Sequence, residues 1–159
     1  MSSPAPAEPT SLARLTGLIE RLPEDLARPG RDVPAPGSPW NLSQTLQHCA
    51  QTVRYSVTGY PRLKPALFRA TAGALAKRVF LRRGAMRHPL GAEIDGAPPL
   101  DPDLPVARAV AELSEAVALF TAHTGEHALH PAYVRCTHDE FARLHAMHLA
   151  EHLPGLTDA

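Results

Sequence analysis

With two cysteines in 159 residues, Cys49 and Cys136, the chain cannot be a disulfide-built scaffold. No stretch is long and apolar enough to span a membrane. The opening segment, 1–9, has neither a basic n-region nor an apolar h-region, so it reads as a flexible lead-in and not as a signal peptide. The expected location is therefore cytoplasmic, with no membrane partner. Formal net charge is zero, so no global field points to nucleic acid. One sign of charge is missing locally, however. Between Val33 and Ala92 there is no Asp or Glu, while Arg54, Arg62, Lys64, Arg69, Lys77, Arg78, Arg82, Arg83 and Arg87 are basic. The first expectation is that the acidic segment Glu93, Asp95, Asp101, Asp103, Glu112, Glu115 packs beside this stretch and neutralises it. The second is a cationic rim that attracts an anionic small molecule.

What is present is helical. Apolar residues make up 44% of the chain, Ala and Leu are abundant, and no strand pattern appears. Residues 10–159 are long enough for one domain with its own core. Leu12, Leu15, Leu18, Ile19 and Leu22 mark a first helix, capped by Thr10 or Ser11 and stopped at Pro23, and Ala27 to Ser38 reads as a loop. A second helix opens at Asn41, with Gln44 completing a capping box and Trp40 as a staple. Its apolar stripe is Leu42, Leu46, Cys49, Val53 and Val57. A third should cover Lys64 to Arg82, with Leu67, Phe68, Thr71, Leu75, Val79 and Phe80 inward. A long connection then opens with Arg83-Gly84 and His88-Pro89 and ends near Pro105, the kind that commonly forms a lid or binding loop. A fourth helix follows to about His123, with Val106, Val110, Leu113, Val117 and Phe120 on its core face. After a loop holding His127, His130 and Tyr133, Thr137 and Glu140 form the capping box of the last helix.

That last helix carries the chemistry. At about 100° per residue, Phe141, Leu144, His145, His148 and His152 share one face, and the Phe marks it as the buried one. Neutral imidazole is the commonest metal-ligating side chain, and His148 with His152 has the i, i+4 spacing that lets two rings reach one ion. Core histidines satisfied by hydrogen bonds are the other reading of the same stripe. His48, the only histidine in the N-terminal half, lies at the edge of the second helix's apolar stripe. Glu151 points away from the histidine stripe and reads as solvated; the stripe itself has no carboxylate that could act as a second catalytic group. Cys49 reads best as a small core residue.

The run Trp40-Asn41-Leu42-Ser43-Gln44-Thr45-Leu46-Gln47-His48 resembles the W-S/N-x-x-Q-x-L-x-H opening of the second helix in DinB-like proteins, and His148 to His152 resembles their final H-x-x-x-H. Tyr60 to Pro65 and Leu129 to Tyr133 are similar to a bacterial branch labelled a domain of unknown function. The resemblance implies an all-α, up-down four-helix bundle in which His48, His148 and His152 hold a divalent ion, with zinc or nickel the first candidates. His145 would then be a supporting or competing ligand, and His130, Tyr133 and Cys49 candidate pocket residues. Characterised relatives include transferases and isomerases that use a low-molecular-weight thiol. The resemblance thus points to a metal-dependent enzyme of that type or a hydrolase, acting on a small molecule; the alternative is a non-catalytic metal- or small-molecule-binding stress-response protein, either one open to homodimerisation.

Overall fold

The computed structural model describes residues 12–21 and 34–156, without the side chains of Leu15 and Leu18. The lead-in, the Thr10 or Ser11 cap, Leu22, Pro23 and the first part of the 27–38 loop lie outside them. The described residues form five helices and no strand. They are α1 (Leu12–Glu20), α2 (Leu42–Thr58), α3 (Ala66–Phe68 and Ala74–Arg83, joined by the π-helical turn Arg69–Gly73), α4 (Val106–Ala122) and α5 (His138–His152). A 3₁₀ turn, Pro154–Leu156, follows.

Both capping boxes form. Asn41 accepts from the Gln44 N–H at 2.9 Å while Gln44 Oε1 accepts from the Asn41 N–H at 3.1 Å. Thr137 and Glu140 make the same reciprocal pair at the start of α5. There Glu140 also takes the Lys77 ammonium at 2.8 Å, tying α3 to the α5 cap. Thr137→Ala is expected to cost about 1 kcal/mol, read as a lower denaturant midpoint at unchanged slope.

The core sits where α2 and α4 pair most extensively, closed by α1 and α5. Leu46, Val53, Leu113, Phe120, Phe141 and Leu149 are all fully buried. Each such side chain contributes roughly 1.5–3 kcal/mol by leaving water. The polar face of α2 has a separate task. Asn41, Ser43, Gln47 and Gln51 bond the backbone at Pro102, Leu104, Asp101 and Pro98, which fastens the long 84–105 connection along the helix.

The inward face expected for α3 does not hold. Leu67, Phe68, Thr71 and Leu75 are exposed, and only Val79 and Phe80 are partly buried. The π turn inserts an extra residue and slips the phase of the stripe, and among the helices α3 packs on α5 alone. The expected neutralisation of the basic stretch is partial. Glu115 reaches Arg54 at 3.9 Å, and Glu93 and Asp95 share a cavity wall with Arg62 and Lys64, whereas Lys77 turns to Glu140.

Candidate metal centre

Four imidazoles meet at the junction of α2, α5 and the long connection. His48 comes from α2, His148 and His152 from α5, and His88 from the connection. One ring nitrogen of each lies within 4.8 Å of those of the others. Two spacings are close: His48 Nε2 to His148 Nε2 at 3.2 Å, and His88 Nε2 to His152 Nε2 at 3.1 Å. Nitrogens bound to one tetrahedral ion at zinc–nitrogen distances stand about 3.3 Å apart, so these two edges already have the size an ion needs.

Three of the rings, His48, His148 and His152, are held neutral, as ligation requires. Burial comes first in every case, followed by the neighbouring imidazoles, each of which would repel a second positive charge. Together these push His48 down to about 3 and His152 to about 4, and hold His148 well below its usual 6.5. Nδ1 of His48, His148 and His152 is buried with no hydrogen-bond partner among the described residues. Their Nε2 ends are the ones aimed inward. His88 is different: its Nδ1 lies 2.6 Å from Glu151 Oε2, and Glu151 Oε1 accepts the His88 backbone N–H at 2.8 Å. A carboxylate behind Nδ1 accepts the Nδ1–H hydrogen bond and leaves the Nε2 lone pair facing the cluster, the arrangement that raises the basicity of a metal-bound histidine. The donor set and the two short Nε2–Nε2 spacings therefore fit a divalent ion.

Glu151 is thus not the solvated residue its helical position suggested. The long connection folds back over the last turn of α5 and shields it, so that its side chain is only 14% exposed. His88 was not among the sequence candidates either; it lies in irregular backbone before a proline, where no periodicity marks a face.

The other candidates divide. His145 does not join the cluster; its Nε2 lies 3.0 Å from Ser56 Oγ, deep between α2 and α5. Cys49 is fully buried in the apolar core and is no pocket residue, and burial pushes its thiol up to about 12. His127 pairs with His138 at 2.9 Å beside Phe120, away from the four rings. His130 and Tyr133 do line a cavity, stacked on each other with centroids 4.0 Å apart. That cavity, of about 400 Å³, has His48, His88 and His148 in its wall, with Phe80, Phe141 and Leu144 supplying apolar surface. Arg62, Lys64, Glu93 and Asp95 also line it, two charges of each sign.

Fold and site together define an all-helical protein in which a buried histidine cluster, able to hold a metal ion, opens onto a pocket of small-molecule size. The chain belongs to the family described as protein of unknown function (DUF1569), whose model matches residues 20–159. No curated protein and no solved structure matches it.

Proposed function

We propose that this is a DinB-like, up-down helical bundle in which His48, His88, His148 and His152 hold a divalent ion, zinc or nickel being the first to test. The pocket beside it would receive a small molecule for a thiol-dependent transfer or isomerisation, or for hydrolysis. One observation carries the reading: four imidazoles bring one ring nitrogen each within 4.8 Å of one another at the wall of a pocket. A bound ion there would supply Lewis acidity and would lower the pKa of a coordinated water or thiol. The chain's own part is to fix His88 through Glu151, to keep the other rings neutral by burial, and to exclude water with Phe80, Phe141 and Leu144. Thr52, Tyr60 and Tyr133 add further polar residues to the wall. Burial pushes the Tyr133 hydroxyl up to about 12, so it stays protonated at neutral pH.

A second reading is favoured by the number of rings. Four histidines fill a tetrahedral ion, the closed arrangement of structural and storage sites, and that points to non-catalytic binding.

Elemental analysis of the purified protein is expected to find about one divalent ion per chain. His48→Ala, His148→Ala and His152→Ala should each lose it while circular dichroism stays helical, because none of these rings belongs to the apolar core. A wild-type protein that retains no more metal than these variants ends the proposal. A screen of low-molecular-weight thiols with electrophilic acceptors then separates the readings: turnover that vanishes in His148→Ala identifies the enzyme, and metal without turnover identifies the binding protein.

A further inference from the structure

Two imidazoles in the pocket wall, His130 and His145, can be assigned nitrogen by nitrogen. His130 Nδ1 lies 3.1 Å from the Ala132 backbone nitrogen and 3.2 Å from that of Tyr133. Amide N–H groups only donate, so Nδ1 accepts and carries no proton. A neutral ring then holds its proton on Nε2. For His145 the assignment runs through Ser56. Ser56 Oγ is 2.6 Å from the Val53 carbonyl oxygen, which can only accept, so the hydroxyl proton goes there. The 3.0 Å contact between His145 Nε2 and Ser56 Oγ is therefore an N–H donated to oxygen, and Nδ1 of His145 keeps a lone pair.

Neither remaining nitrogen has a protein partner among the described residues, and both rings line the cavity. Both rings lie beside Phe141, with centroids 5.9 and 5.5 Å from it. Burial, with small contributions from neighbouring charges, pushes each of them down to about 3, so both remain uncharged across the physiological range. His130 Nε2–H is thus a fixed donor and His145 Nδ1 a fixed acceptor, on two rings that line one cavity beside an apolar ring. The charges around the rim do not add a bias, since Arg62 and Lys64 are matched by Glu93 and Asp95.

From this donor–acceptor pair we infer that the pocket selects an uncharged head able both to accept and to donate hydrogen bonds, a carboxamide, on an apolar body. The matching carboxylate satisfies His130 but brings no proton to His145, and it sets an anionic lone pair against a neutral one. Leaving a buried acceptor unpaired disfavours the carboxylate by roughly ten- to a hundred-fold. The inference rests on the cavity being a ligand site, as proposed above, and not on the ion.

The test uses full-length ¹⁵N-labelled protein in a chelating buffer, so that no bound ion can attract an anion. Long-range ¹H–¹⁵N spectra of the rings should show the proton on Nε2 of both His130 and His145. Titration with benzamide and benzoate should show benzamide at least about tenfold tighter, moving the signals of both rings. His130→Phe, which keeps the stack on Tyr133, should remove that preference. A proton on Nδ1 of either ring, equal or tighter binding of benzoate, or no shift with either probe at millimolar concentration overturns the inference. Preference for benzamide by a protein in which elemental analysis without chelator finds no ion overturns the metal reading alone.

Discussion

Acid is expected to unfold this protein, with a midpoint between about pH 6 and about pH 4. The cause is the set of imidazoles that the fold keeps uncharged. His48, His130 and His145 are pushed down to about 3 and His152 to about 4, while His148 lies well below 6.5. In the unfolded chain each takes up a proton near its ordinary value of about 6.5. Below that pH the unfolded state binds more protons than the native one, so stability falls as pH falls and continues to fall until the folded values are reached. Each ring withdraws about 1.4 kcal/mol per pH unit, so the five together withdraw about 7. The whole of a domain's stability is only about 5–15 kcal/mol. Far-UV circular dichroism against pH checks the midpoint, and the steepness should correspond to uptake of several protons. A chain that stays folded to below pH 4 would show that these rings are not buried as described. A bound ion stabilises only the native state, so chelation should move the midpoint upward in pH.

Gly73→Ala is expected to displace the loop that carries His130 and Tyr133. Gly73 has φ −65°, an ordinary helical value, so it is not there for conformational freedom. It is there for room. A Cβ at this position would sit 1.9 Å from the Ala132 carbonyl oxygen and 3.0 Å from its carbon, both backbone atoms that cannot swing aside. The loop is also tied to the approach to α3, where the Lys64 N–H donates to the Pro131 carbonyl at 2.8 Å. Forcing a methyl into a packed contact costs roughly 1–3 kcal/mol, and an obstacle this rigid belongs at the upper end. The expected outcome is a melting temperature lower by several degrees, with helix content and the four-histidine cluster intact. The backbone bonds that fix the His130 ring should loosen. Unchanged stability and an unchanged His130 signal would mean that the loop stands off from the π turn.

How far the sequence reaches can be judged from particular residues. Helices α2, α4 and α5 were legible because their apolar residues recur at 3.6, with capping boxes opening α2 and α5 and Pro105 opening α4, local signals that need no tertiary information. The face of α3 was not, because a π turn changes the phase midway and nothing in Arg69-Ala70-Thr71-Ala72-Gly73 announces it. His148 and His152 could be singled out from a single helix, and His48 through its helix-opening motif. His88 and Glu151 could not: one lies in irregular chain, and the other takes its role only from what that chain covers. His145 shares the stripe of His148, yet Ser56 on the opposite helix takes its Nε2. A sequence shows which side chains share a face but not which atom across the interface each will meet.

Trp40 was expected only to staple the start of α2. Its indole lies against His48 and His152, with ring centroids 4.7 and 5.9 Å away and nearly parallel to the second. It is the chain's single tryptophan, so the ultraviolet emission of the whole protein originates within van der Waals range of two candidate ligands. Whatever arrives at those rings, whether a proton, an ion or a displaced neighbour, alters the surroundings of that one fluorophore, and the molecule carries its own optical gauge of occupancy.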